Sequence, residues 1–107
     1  MSIPIILFGL IDAQNELNSI AYANCFDTEA KVFDEGEVHQ GREAIQKWNE
    51  ATNAKYKTQL KKMAFVNTDQ ENILTVKVSG TFDGSPIVLK YHITLKNGLI
   101  ATLEIRG

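Results

Sequence analysis

Cysteine is almost missing from this chain: Cys25 stands alone. A single thiol cannot close an internal disulfide, and no spaced partner makes it half of a zinc site or redox pair, so the cytoplasm is the expected compartment. Basic surplus is missing too. Eleven Lys and Arg face 13 Asp and Glu, for a net charge of −2. The one dense basic cluster, Lys55, Lys57, Lys61 and Lys62, is offset by acids elsewhere, so nucleic acid is not an expected partner. The apolar run Ile3 to Ile11 is too short for a membrane span. It also lacks the basic flank and small-residue cleavage pattern of a secretory signal, so it reads as a core helix and no membrane is implied. His39 and His92 are far apart with no third ligand at metal spacing, so neither a metal nor a cofactor is expected. With only two prolines, 44% hydrophobic residues and 22% charged ones, the chain has no disordered or low-complexity signature. Its 107 residues suffice for one core and one domain, 1–107, with no linker.

What is present falls into a helical first half and an alternating second half. Ser2 can cap a helix with Pro4 in its first turn, continued by Leu7, Leu10 and Ile11. That helix is apolar nearly all round, which predicts burial on more than one side, at the mouth of a concave sheet or against a second subunit. Asn15 to Asn18 should break it. A second short helix, capped by Asn18 or Ser19, is predicted through Phe26 and ended by Asp27 and Thr28. The stretch Val32 to Ala51 then reads as a short strand, a tight acidic loop around Asp34-Glu35-Gly36, and a helix. Ala44, Ile45, Trp48 and Ala51 share one face of that helix, which should lie across a sheet. Glu43 and Lys47, four apart, support it.

From Tyr56 onward the period changes to two. Leu74, Val76, Val78, Gly80 and Phe82 alternate with Thr75, Lys77, Ser79 and Thr81. Asp83-Gly84 and Asn97-Gly98 are hairpin signals because both residues tolerate the positive φ of a type I′ turn. Four strands in an antiparallel meander follow, with a bulge or two-sided burial where Met63, Ala64, Phe65 and Val66 run together. The polar side of this sheet carries Lys90, His92, Thr94, Thr102, Glu104, Thr75 and Lys77. That mixture fits either solvent or a moderately polar homodimer interface through the outer sheet face.

Asp34 sits where strand gives way to loop, at the edge of the apolar layer. A carboxylate at the rim of an apolar pocket, with Glu35 and Glu37 near, has its pKa raised by desolvation and repulsion. Such a group can take a proton from carbon beside a carbonyl or protonate a leaving oxygen. The alternative is structural: Asp34 accepts backbone N–H groups of its own loop. His39 can act as a second proton carrier or as a loop cap. Tyr22, Trp48 and Tyr91 can line a ligand cavity, the two phenols orienting a carbonyl oxygen, or can simply pack the core. If Tyr91 points in, His92 points out, to surface or interface.

The order of these elements and the residues Phe26-Asp27-x-x-Ala30-x-Val32-x-Asp34-x-Gly36, Gly41-Arg42-x-Ala44-Ile45 and Trp48 resemble the SnoaL-like polyketide cyclases and ketosteroid isomerases of the nuclear transport factor two-like superfamily. Gly80-Thr81-Phe82-x-Gly84-Ser85-Pro86 and Asn97-Gly98-x-Ile100 extend the resemblance over essentially the whole chain. It implies a cone-shaped α+β fold in which N-terminal helices pack on a curved, mainly antiparallel sheet. It also implies a hydrophobic pocket for a small apolar molecule. Asp34 falls where ketosteroid isomerases hold their carboxylate base, whereas their first-helix tyrosine falls near Leu10, which has nothing to donate. Their later-strand acid falls near Tyr91, whose phenol can still donate. The implied activity is acid-base chemistry of isomerase, cyclase or dehydratase type, with steroid isomerisation itself disfavoured. The other reading is a non-catalytic ligand-binding or dimerisation module, since one fold of this kind serves many functions.

Overall fold

The computed structural model describes residues 3–107. Three helices, α1 (Ile5–Asn15), α2 (Ser19–Asn24) and α3 (Arg42–Tyr56), pack on a six-stranded sheet. Its strands are β1 (Phe26–Asp34), β2 (Glu37–Gln40), β3 (Gln59–Asn67), β4 (Asn72–Ser79), β5 (Ile87–Lys96) and β6 (Leu99–Arg106). The order across the sheet is β2-β1-β6-β5-β4-β3, antiparallel everywhere except between β1 and β6. This is the expected α+β architecture. The predicted meander is β3 to β6, and alternation in β4 buries Leu74, Val76 and Val78. They meet Leu7 and Leu10 of α1, Phe26 and Val32 of β1, Ile45 of α3, Ile93 of β5 and Leu103 of β6 in one core. Each such side chain, once out of water, stabilises the fold by roughly 1.5–3 kcal/mol. No helix among the described residues is long and apolar enough to cross a membrane.

Helix α1 starts at Ile5, directly after Pro4, whose φ of −55° suits that place. The predicted Ser2 cap lies outside the described residues. Leu7, Leu10, Ala13 and Gln14 are buried, while Ile5 is 87% exposed and Phe8 half out, so within the chain this apolar helix buries one side only. Leu17, at φ 54°, turns the chain into α2, and the Asn18 side chain accepts the Ala21 N–H at 3.0 Å as its cap.

Several boundaries differ from the sequence-based expectation. The second helix stops at Asn24, and Phe26, Asp27 and Thr28 belong to β1. Pairing with a strand some 70 residues later decides this: the Ile100 N–H donates to the Cys25 carbonyl at 3.0 Å and Phe26 lies beside Ile100. The register slips between Phe26 and Lys31, which hides the strand from a search for strict alternation. The acidic loop is the turn of a hairpin, with Glu35 at φ 51° and Gly36 at φ 77°, and it leads into β2, a short polar strand with no apolar pattern to announce it. Helix α3 is turned relative to the expected face: Ile45, Asn49 and Asn53 are buried and Ala51 is exposed. Asn97-Gly98 forms the predicted turn, with both residues at positive φ (53° and 82°). A register shift between Lys62 and Ala64 is the expected bulge, but Met63 and Val66 remain exposed rather than buried.

The Asp83-Gly84 region is not a tight hairpin. Strand β4 ends at Ser79, so Gly80 and Phe82 leave the ladder and fold back onto the end of α3. The Thr81 N–H donates to the Tyr56 carbonyl at 2.8 Å, and Phe82 meets the Tyr56 ring edge-on at 5.7 Å. A methyl group at Gly80 would stand 2.6 Å from that same carbonyl oxygen. Gly80→Ala is therefore expected to destabilise the fold by about 1–3 kcal/mol, seen as a lower urea midpoint at unchanged slope. An unshifted midpoint would show that this connection moves freely away from α3.

Candidate functional site

Helices α1, α2 and α3 cover the inner face of the sheet without filling it. Between them and β4, β5 and β6 lies a cavity of about 230 Å³. Tyr22, Asp34, Trp48 and Tyr91 all border it, with aliphatic wall from Val78 and Leu89. Strand alternation explains two of these. Val32 and Asp34 share the inner face of β1, so the chain's last inward side chain before the turn is the carboxylate. Tyr91 points in between Leu89 and Ile93 on β5, and His92 points out, where its Nδ1 lies 2.8 Å from Glu71 Oε1. Tyr22 comes from the buried side of α2 and Trp48 from α3, their rings 6.2 Å apart.

His39 is on the inner face of β2, opposite Val32, but does not border the cavity. Its ring stacks on Trp48 at 5.3 Å and 26°, so the indole stands between it and the hollow side of α3. Its influence on Asp34 is through charge. Burial pushes the Asp34 carboxyl up from its ordinary value, and the Glu35 charge adds to this; His39 and the Glu35 backbone N–H pull the other way, and Glu37 pushes up again. Burial likewise raises Tyr91, with the Asp34 charge as the second cause, and raises Tyr22, with Tyr91, Cys25 and Asp34 adding to it. Both phenols thus stay neutral and keep their protons for donation. Among the described residues neither phenol has a protein hydrogen-bond partner, yet no fully buried side-chain oxygen or nitrogen lacks one, so both hydroxyls open onto the cavity. Cys25 is buried and its thiol is pushed up by that burial, which makes it unreactive. Among the described residues no three His, Cys, Asp or Glu side chains converge as a metal site would require.

Among the cavity residues that escaped the sequence reading are two buried amides. Gln14 of α1 and Asn49 of α3 are buried, border the cavity, and join Ser19 and Asn53 in a shared network of hydrogen bonds. The signal for them was present: Asn49 and Asn53 are four apart, in the stripe of α3 that an ordinary amphipathic helix fills with aliphatics.

A partly open, largely apolar hollow under three helices, with Asp34 and Glu35 and the tyrosines Tyr22, Tyr56 and Tyr91 on its wall, defines a cone-shaped α+β pocket protein. A candidate polyketide cyclase from Sinorhizobium meliloti is similar over 97% of this chain and 95% of its own, with 35% identity and a TM-score of 0.92. A protein with a ketosteroid isomerase-like fold from Catenulispora acidiphila, solved in complex with trimethylamine, shares the fold at 17% identity, with 99% and 87% coverage and a TM-score of 0.87. So does an NTF2-like protein from Cytophaga hutchinsonii at 17% identity, 94% and 84% coverage and a TM-score of 0.77. No family sequence model matches the chain, and no curated protein matches it in sequence. The chain belongs to the SnoaL-like, nuclear transport factor two-like superfamily.

The raised Asp34 carboxyl has a consequence for stability. The folded state holds that proton more tightly than the unfolded chain, which stabilises the fold below pH 3.8 and is lost as the pH rises through the raised value. At pH 7 the ionised side chain is thus a cost that an amide would not incur. Asp34→Asn is expected to raise the urea midpoint at pH 7, with the gain shrinking as the pH approaches 3.8. A variant less stable than wild type at pH 7 would mean the negative charge is favourably held.

Proposed function

We propose that the cavity binds a small, mostly apolar carbonyl compound and that Asp34 acts on it as general base, then acid. The observation that carries this is a half-buried carboxylate, its pKa raised, sharing one hollow with two unpartnered neutral phenols. Asp34 would take a proton from the carbon beside the carbonyl. The electron pair moves into the new C=C bond, and the developing oxygen anion is met by the Tyr91 or Tyr22 hydroxyl. The proton then returns at another atom, or the enolate carbon attacks a second carbonyl, which gives isomerase, dehydratase or cyclase chemistry. His39, behind Trp48, tunes the charge of Asp34 without touching the ligand. The volume of about 230 Å³ lies below the usual range for drug-sized ligands, so a molecule of one or two rings is the expected size.

A second reading is a non-catalytic binding module. It is favoured by a lining with Asp34, Glu35 and several aromatic rings but no Lys or Arg, which suits an organic cation. The Catenulispora acidiphila relative, solved in complex with trimethylamine, is consistent with this. The two readings separate by turnover. Under the enzymatic one, the protein accelerates deuterium uptake at C2 of 1-tetralone in D₂O, and Asp34→Asn lowers the rate by about 10²–10⁴-fold. Equal rates with wild type and variant would leave the binding module.

The same reading includes a homodimer through the outer sheet face. That face carries Lys90, His92, Thr94, Thr102 and Glu104, flanked by exposed Val66 and Val88, a blend of polar and apolar surface suited to two identical copies. Thr94 and Thr102 sit directly opposite each other at its centre, their hydroxyls 2.6 Å apart. Sedimentation at micromolar concentration is expected to give a dimer for wild type and a monomer for Thr94→Arg. A wild-type monomer would remove this face from consideration.

A further inference from the structure

The hydrogen bonds of the buried amide cluster can be counted donor by donor. Gln14 Nε2 donates to Asn53 Oδ1 at 2.7 Å and to the Thr58 carbonyl at 2.9 Å, so both of its N–H groups are used. Asn53 Nδ2 donates to Asn49 Oδ1 at 2.9 Å and to Ser19 Oγ at 3.2 Å, so both of its are used as well. The Ser19 hydroxyl donates to Asn49 Oδ1 at 2.7 Å. Asn49 Nδ2 donates to Gln14 Oε1 at 2.9 Å, and that is its one bond to the protein among the described residues. Its second N–H is the only unused donor in the cluster. Asn49 is 2% exposed and borders the cavity, whereas Asn53 and Ser19, whose donors are all satisfied, do not.

A spare lone pair costs little, but a spare N–H in a nearly dry place is costly unless something accepts it. The cluster also fixes the direction of that N–H. Asn49 Oδ1 accepts two hydrogen bonds, from Ser19 and Asn53, so the amide cannot turn over without breaking both and facing its Nδ2 toward donors. We infer that Asn49 is a specificity residue: its free N–H receives an oxygen acceptor of the ligand, distinct from the carbonyl that faces Asp34 and the phenols. The ligand class is therefore a small apolar molecule with at least two oxygen functions, such as a hydroxy-ketone or a diketone. An otherwise identical mono-ketone leaves the amide proton unmet.

This inference rests on the reading of the cavity as a carbonyl-binding site, and the test separates the two. The probes are 1-tetralone and its 5-, 6- and 7-hydroxy derivatives, titrated into ¹⁵N-labelled wild type, Asn49→Asp and Asn49→Leu. Dissociation constants and the Asn49 side-chain amide resonances are both recorded. In wild type, at least one hydroxylated probe is expected to bind about tenfold tighter than 1-tetralone and to move one of the two Asn49 amide protons downfield. That advantage should vanish in whichever variant remains folded by thermal melting. Equal affinity across the probes, with unmoved Asn49 amide protons, overturns the inference and leaves the carbonyl site standing. An advantage that survives in a folded Asn49 variant overturns it too. Failure of every probe, 1-tetralone included, to bind wild type overturns the carbonyl site and the inference with it.

Discussion

The hollow exists because the helices are held over the sheet by hydrogen bonds at a place where apolar side chains would have met and filled the space. Gln14 of α1, Ser19 of α2 and Asn49 and Asn53 of α3 tie three helices to one another, and Gln14 ties them to the chain just before β3 through the Thr58 carbonyl. Asn15 adds a second tie, its side chain accepting the Leu60 N–H at 2.7 Å and donating to the Leu60 carbonyl at 3.0 Å. Directional bonds fix separations that dispersion alone would tend to close. Removing any one amide leaves its partners unsatisfied in a dry environment, so this cluster is vulnerable in a way that the aliphatic layer beneath it is not.

The second constraint is the parallel pairing of β1 with β6. It extends β1 back to Phe26 and fixes Asp34 at the far end of the same strand, with the Val32 and Asp34 side chains on the cavity side. The hairpin to β2 then sends the chain back along the sheet edge and brings His39 against Trp48. A carboxylate set this way is close enough to Glu35 and Glu37 to feel both, and is desolvated by the wall it stands in. Its electrostatic setting is therefore a product of strand register, and a slip of one residue would turn it to the outer face.

How much of this was legible in the sequence follows the same division. The meander, the Asn97-Gly98 turn and the bulge near Met63 were readable because alternation and turn chemistry are local. The opposite orientations of Tyr91 and His92 followed from alternation, and Asp34 was picked out by its place where strand gives way to loop and by the family resemblance. What failed was non-local. Phe26 to Thr28 took strand geometry from Ile100, and β2 took it from β1, although neither stretch has a strand-like pattern of its own. The rotation of α3 was missed because its buried stripe is polar, and a search for apolar periodicity turns such a helix toward Ala51. Gln14 and Asn49 were overlooked for the same reason: an amide's role depends on the partner it meets, here 35 residues away.

The charges in the hollow are coupled in a direction that suits proton transfer. Ionised Asp34 makes it harder for Tyr91 to give up its proton, and by reciprocity a phenol sharing its proton makes Asp34 a better acceptor of one. If Asp34 takes a proton from the ligand, as proposed above, a negative charge disappears from the carboxylate just as one develops on the ligand's oxygen. Tyr91 would thereby be released from the charge that held its proton and become a stronger donor at the moment the oxygen needs one. The total negative charge inside the cavity would stay constant through that step, so little would have to be rearranged around it. Without a ligand the neutral Tyr91 phenol does not repel ionised Asp34, and the cost there is that of holding the carboxylate out of water beside Glu35 and Glu37. That standing cost on Asp34, at the wall of a cavity, is a reason to read the carboxylate as chemistry rather than as packing.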